Sequence, residues 1–249
     1  LLLVGNYGSG KTEVAVNLAL ALAERGGRVS LADLDIVNPY FRSREARALL
    51  EARGIRVVVP PGAQSFADLP IVLPEVAGLM GIRPGEGHAL FDVGGDDVGA
   101  RMLSSLHPHL AEGGYALWQV VNARRPFTDT VAGCLRMRAE IEQAARLGVT
   151  GFVSNAHLVT ETTPEVIVEG HALALEAARQ AGLPLVFVTA MGDLADHPAV
   201  AGLPTPVLRL ERRMLPPWLR AERGPGEEHA EPAPRPVPLG RRPPKDSRS

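Results

Sequence analysis

Lysine is nearly missing from this sequence: Lys11 and Lys245 stand against 24 arginines. Cysteine occurs once, as Cys134. A single thiol excludes an intrachain disulfide framework and any C-x-x-C metal or cluster site, and a small buried filler is the role expected of it. Aromatic residues make up only 4% of the chain, so the core must be built from Val, Leu and Ala. No apolar run reaches the ~18 residues of a membrane span, and no signal peptide is visible, so a cytoplasmic location is expected. The net charge is −2, which offers no electrostatic case for nucleic acid or an anionic membrane as the main partner. No internal repeat is detectable.

What is present is 249 residues with 45% apolar content, ample for one well-buried α/β domain. Strand-like runs are expected at residues 1–4, 28–32, 55–59, 88–93, 115–121, 149–154, 185–189 and 205–210. Helical spacing falls between them at 13–25, 44–53 behind Ser43 as N-cap, 74–80, 129–147 and 164–181. Crossovers of that length return the chain for parallel pairing. The fold expected is therefore α/β: a three-layer, doubly wound, mostly parallel sheet of the P-loop NTPase kind. Residues 62–87 read as loop-rich. Residues 1–219 form the nucleotide-binding domain in this reading. Residues 220–249, rich in Pro and Arg, bury too little to offset their ordering entropy and are expected to be a disordered tail.

Gly5-Asn6-Tyr7-Gly8-Ser9-Gly10-Lys11-Thr12 has the spacing G-x-x-x-x-G-K-[ST]. It lies between the apolar run Leu1–Val4 and a helical stretch, the context such a loop requires. Glycines let the backbone wrap phosphates and aim N–H groups at them, and the helix N-terminus adds partial positive charge. Lys11 would reach the β- and γ-phosphates, and the Thr12 hydroxyl would ligate Mg²⁺. In a chain that otherwise uses arginine, a lysine in this slot speaks for a compact ammonium.

Carboxylates follow at two strand ends. Asp33-Leu34-Asp35 comes after the second strand, and Asp92 precedes Val93-Gly94-Gly95 after the fourth. Asp92 has the position of a Walker-B aspartate, Asp35 that of a residue orienting the attacking water, and Asp33 could serve Mg²⁺ or hold the loop. Strand ends also carry Asp as a turn former or cap, so the phosphate loop is what tips the balance. Asn122 and Asn155 end two further strands, where an amide can read a purine edge or close a turn. Neither is followed by the Lys of a guanine-selective Asn-Lys-x-Asp, which tilts the base towards adenine. Asp96 and Asp97 read as turn residues, with Asp96 near enough to sample Mg²⁺. Arg42, Arg44 and Arg101 are phosphate or partner candidates, and His107-Pro108-His109 lacks a third ligand for a metal. Residues 207–220 read as a terminal strand and anchor, since Pro216-Pro217 would break a membrane-binding helix.

Together these blocks resemble the MinD/ParA/CobQ-type P-loop ATPases, over roughly residues 1–210. The resemblance rests on Gly5–Thr12, on Leu31–Asp35 as the family's Asp-x-Asp, and on Phe91–Gly95 as its Walker-B strand and switch. It implies Lys11 and Asp35 as catalytic residues, with Asp35 positioning the hydrolytic water. It implies a nucleotide-binding set of Gly5, Asn6, Tyr7, Gly8, Ser9, Gly10, Lys11, Thr12 and Glu13, with Asn155 on the adenine. It also implies Thr12, Asp33, Asp35 and Asp92 as the Mg²⁺ set, Asp92 through water. Many members carry a signature lysine at the second loop position, which reaches across a nucleotide-sandwich dimer. Asn6 stands there in this chain, which leaves ATP binding intact but puts a homodimer in question.

The function expected is a Mg²⁺-dependent ATPase: a slow regulatory or chaperone-like switch acting on a protein partner. The alternative is an ATP-dependent ligase or kinase, like dethiobiotin synthetase or the cobyrinate amidases, acting on a small carboxylic acid. A third is a nucleotide-binding module that signals by occupancy alone.

Overall fold

Strand β1 (Leu2–Val4) emerges in the middle of the sheet, and its two neighbours come from distant parts of the chain. The computed structural model describes residues 1–35, 47–59, 74–83, 85–95, 99, 103–104 and 114–212. The proposed Ser43 cap, residues 62–73 and 84 of the 62–87 loop region, Arg42, Arg44, Asp96, Asp97, Arg101, His107, His109 and the tail lie outside the described residues. The remaining strands are β2 (Val29–Leu34), β3 (Arg56–Val58), β4 (His88–Val93), β5 (Leu117–Val121), β6 (Gly151–Ser154), β7 (Leu185–Met191) and β8 (Val207–Leu210). They form one eight-stranded sheet in the order β3-β2-β4-β1-β5-β6-β7-β8, and every pair is parallel.

Helices α1 (Lys11–Glu24), α2 (Arg47–Ala52), α3 (Pro74–Met80), α4 (Val131–Ala145), α5 (Pro164–Ala181) and α6 (Pro198–Ala201) cover both faces. Successive strand residues point to opposite faces, so Leu2 and Leu3 serve different cores. Leu3, Leu31, Leu90, Val120 and Val153 pack against Val14, Ala15 and Leu20 of α1 and Leu50 of α2. Leu2, Val4, Ala32, Phe91 and Leu117 pack against Val76, Leu79 and Met80 of α3 and Ile141 and Ala145 of α4. On α5, Ala177 and Ala178 join Val121 and Phe152, while Ile167 joins Val188 and Val200. Burial on both faces explains why these strands read as continuous apolar runs without alternation. Cys134 is buried in α4 with its thiol directed at the Thr128 carbonyl, and burial beside Asp129 pushes its pKa up to about 12. It is the inert filler that its isolation suggests.

Several strand boundaries are corrected: β7 runs on to Met191 and β8 starts at Val207, each two residues from the expected bound. β2 does not stop at Ala32: parallel pairing with β4 continues through Asp33↔Asp92 and Leu34↔Val93, so Asp33 is a strand residue and not the first of a loop. β5 starts at Leu117 and not at Tyr115, whose hydroxyl instead accepts from the Gly148 amide. β6 starts at Gly151, two residues after the apolar run begins. At the far edge, Asn17 in mid-α1 acts as a strand partner for the residue after β8. Its Oδ1 accepts from Glu211 N at 2.8 Å and its Nδ2 donates to Glu211 O at 3.0 Å.

Because all strands run the same way, their carboxyl ends share one edge of the sheet. The chain order reverses at β1, with β4 on one side and β5 on the other. That is where an open parallel sheet has its ligand crevice.

Helix α5 also approaches that edge closely: a Cβ on Gly170 would fall 2.1 Å from the Ala156 Cβ, just past β6. Gly170→Ala gains about 1 kcal/mol of helix propensity. Overpacking against a backbone-anchored methyl costs about 1–3 kcal/mol and should win. The variant is expected to be less stable than the parent in chemical denaturation, with an unchanged slope.

Candidate nucleotide-binding site

The loop leaving β1 ends at Gly10, the N-cap of α1, with φ 81° in the left-handed region. No side chain caps this helix end, and a Cβ there would come within 2.3 Å of Asn155 Nδ2, so only glycine fits. Lys11, 7% exposed, folds back over the loop and donates to the carbonyls of Gly5 and Asn6, each at 3.1 Å. Ser9 N closes the turn on Asn6 O at 3.2 Å. Tyr7 stands out into solvent.

The loop is gripped by its carbonyl side. Asn155 Nδ2 donates to Ser9 O at 2.6 Å, while Asn155 Oδ1 accepts from the Thr189 hydroxyl on β7. Arg125 Nε donates to Gly8 O at 3.2 Å. Asn6 Nδ2 donates to Pro126 O at 2.8 Å, and Asn6 Oδ1 accepts from Tyr7 N. Donors from the ends of β5 and β6 therefore hold the carbonyls, with Thr189 on β7 bracing Asn155 from behind, a grip that favours an anion on the amide side.

Beneath the loop lie the carboxylates. Asp33 and Asp92 are register partners on β2 and β4, 1% and 0% exposed. Asp35 N donates to Asp33 Oδ1 at 3.1 Å, which holds Asp35 at the strand exit. Neither Asp92 oxygen accepts a well-formed hydrogen bond. Burial first, then the Asp33 charge, raises the Asp92 pKa to about 8, against the pull of the Thr12 hydroxyl and Lys11. A buried acid crowded by another acid and facing a hydroxyl is a donor set short of positive charge, and a divalent cation fits it. Among the described residues no group of three acids or histidines forms a self-sufficient metal cage. Mg²⁺ takes one or two protein oxygens and completes its shell with phosphate and water. Gly95 completes the wall, since a Cβ there would lie 2.8 Å from Lys11 Nζ and 2.9 Å from Tyr7 N.

Two clefts meet here. One of about 200 Å³ is lined by Tyr7, Gly8, Lys11, Thr12, Asp35, Gly95 and Arg125. The other, of about 120 Å³, is lined by Asn155, Met191, Leu210 and Arg212, and both share Gly10, Glu13, His157 and Val159. A larger cavity of about 460 Å³ lies at the opposite ends of the strands, among Leu2, Leu22, Leu79, Phe91 and Trp118. Arg83, His88 and Tyr115 also line it, but it is remote from the phosphate loop, so its size does not make it the site.

The structure thus gathers Gly5–Glu13, Asp33, Asp35, Asp92 and Asn155 at one edge. Asn122 serves the scaffold: its Oδ1 accepts from Arg124 N and His157 N, and its Nδ2 donates to His157 O. Arg125, His157 and Thr189 are not marked by the sequence motifs, whereas Gly95 belongs to the Phe91–Gly95 block. The signal for Arg125 was its place three residues past a strand end already marked by Asn122.

Two outcomes follow from this geometry. Asn155→Ala leaves Ser9 O without its side-chain donor and removes one of the two acceptors of the Thr189 hydroxyl, so it should cost about 1–3 kcal/mol of stability as well as nucleotide affinity. A loss of affinity with an unchanged denaturation midpoint would show that the clamp carries no structural weight. His157 is pushed from 6.5 down to about 4, by burial first and then by the Arg125 and Arg212 charges. Its neutral form is favoured in the fold, and the unfolded chain binds the proton first as pH falls. Stability should therefore drop between about pH 6.5 and pH 4, and His157→Gln should flatten that part of a stability–pH curve.

No curated protein matches the chain in sequence. Among solved structures, cell division protein FtsY from Thermotoga maritima superposes with a TM-score of 0.54 at 19% identity, covering 76% of this chain and 60% of that one. Signal recognition particle receptor FtsY from Elizabethkingia anophelis, in complex with GDP, gives 0.51 at 16% identity, covering 76% and 56%. The chain spans less than two thirds of these FtsY chains, and at such identity the likeness concerns the fold alone. A nucleotide-binding protein from Archaeoglobus fulgidus in complex with ADP covers 92% of this chain and 93% of its own, at 17% identity and a TM-score of 0.46. Residues 5–170 match the CobQ/CobB/MinD/ParA nucleotide binding domain, the span that carries the phosphate loop, both acid-bearing strand ends and the Asn155 clamp. The chain belongs to that family of P-loop nucleotide-binding proteins.

Proposed function

We propose that this protein is a Mg²⁺-dependent ATPase that works as a slow nucleotide switch on a protein partner. The observation that carries the reading is the buried Asp33–Asp92 pair set against Thr12 and Lys11 at the foot of the phosphate loop. The larger of the two joined clefts holds the polyphosphate in this reading, and the base enters the one beside Asn155, Met191 and Leu210. Thr12 and Asp92, with Asp33 behind them, would hold the Mg²⁺, whose contribution is to draw off charge from the phosphate oxygens. Lys11 leaves the Gly5 and Asn6 carbonyls for the phosphates, and Asp35 at the exit of β2 orients the attacking water.

Adenine is favoured over guanine by Leu158, which stands three residues after Asn155 where a guanine-reading Asn-Lys-x-Asp would have its carboxylate. The switch would run through the segments after β2 and β4, since Asp35 and Gly95 begin them and both line the phosphate cleft. Tyr7, Phe127, Leu158 and Val159 are exposed apolar residues around that region, a surface a protein partner could cover when nucleotide is bound.

Phosphate release with ATP or GTP, with and without Mg²⁺, tests this reading. The parent should turn over ATP slowly and only with Mg²⁺, and GTP more slowly still. Lys11→Ala should lower turnover about 100-fold. Asp35→Asn should retain nucleotide binding and lose turnover. Turnover that appears only with an added small carboxylic acid would favour the ligase or kinase alternative, and absence of nucleotide binding would sink the reading.

A further inference from the structure

Two arginines follow β5 in succession, and only one of them meets a carboxylate. The guanidinium of Arg124 pairs with Glu169 on α5. Arg125 makes no ion pair among the described residues, although it is half-buried and lines the phosphate cleft with Lys11, Thr12 and Asp35. Among the described residues, the one hydrogen bond of its side chain runs from Nε to the Gly8 carbonyl. A guanidinium carries five N–H donors, so most of its capacity is directed elsewhere.

The side chain is held in place. A Cβ on Gly8, where φ is 72°, would lie 3.0 Å from Arg125 Nε and 3.2 Å from its Cζ, so the guanidinium rests directly on the loop. The segment behind it is a braced turn: Thr128 N donates to Arg125 O, and the Thr128 hydroxyl donates to Asn122 O at 2.9 Å. Asn6 Nδ2 ties the same segment to the loop through Pro126 O. The Arg125 charge is felt at His157, whose pKa it helps to lower. A partly desolvated guanidinium with no ion pair among the described residues favours an anionic ligand, and its fork geometry matches phosphate. A carboxylate co-substrate would satisfy the same charge, but Arg125 is attached to the phosphate loop itself, which favours the phosphates.

We propose that Arg125 is a substrate-contacting residue, whose guanidinium binds an oxygen of the nucleotide's polyphosphate as a second cation beside Lys11. This rests on the nucleotide reading above.

The test compares Mg-ATP with Mg-tripolyphosphate, which has the charge but neither base nor sugar. Affinities are measured by calorimetry on the full chain and on Arg125→Gln and Arg125→Lys, with melting curves to verify folding. Arg125→Gln should weaken both ligands by the same factor, about 10- to 100-fold, the worth of a charged hydrogen bond. Arg125→Lys should recover part of that loss for both. Unchanged affinities in Arg125→Gln would overturn the proposal. A loss confined to ATP would overturn it too, because it would put Arg125 on the base or ribose. Those two results leave the nucleotide reading standing, whereas a parent chain that binds neither ligand removes both.

Discussion

Two carboxylates side by side inside a parallel sheet are the constraint around which this domain is arranged. Asp33 and Asp92 face each other across β2 and β4 with almost no solvent contact, so each raises the cost of ionising the other. A hydrophobic pair at the same register positions would serve stability better. The acids make sense only beside the first turn of α1, where Lys11 and the Thr12 hydroxyl oppose their charge. Helix, loop and two strands are therefore placed by a local conflict of charge as much as by burial, which is where function is expected to override packing.

The strand order divides the labour. On one side of β1 stand β4 and β2, which bring the acids. On the other stand β5 and β6, which bring Arg125 and Asn155 to the carbonyls of the loop, and β7, whose Thr189 hydroxyl holds Asn155. The loop lies between a charged floor and a hydrogen-bonded outer brace. Held this way its amides need little reorganisation to receive an anion, the kind of preorganisation that makes electrostatic stabilisation effective. Asn17 extends the same logic, since its bonds to Glu211 tie the phosphate-binding helix to the strand end that walls the second cleft.

Much of this was legible in the sequence because it is local. The strand–loop–helix around Gly5–Thr12 is set by three glycines, a lysine and the apolar runs beside them. The eight strands announce themselves as apolar runs with helical segments between, and crossovers of that length allow parallel pairing. Asp35, Asp92 and Asn155 stand out because polar residues at the ends of apolar runs gather along one edge of such a sheet.

Tertiary structure decided what depends on register and on contacts between distant segments. Asp33 became a strand residue because β4, nearly sixty positions later, supplies hydrogen-bonding partners past Ala32. Asn155 proved to hold the loop because Ser9, 146 positions earlier, presents a carbonyl to it. Arg125 is one arginine among 24 in the sequence, and only its seat on Gly8 sets it apart. Local chemistry thus determined which elements form and which residues could act. Which of them meet was decided by strand order, since neighbours in a parallel sheet come from far along the chain.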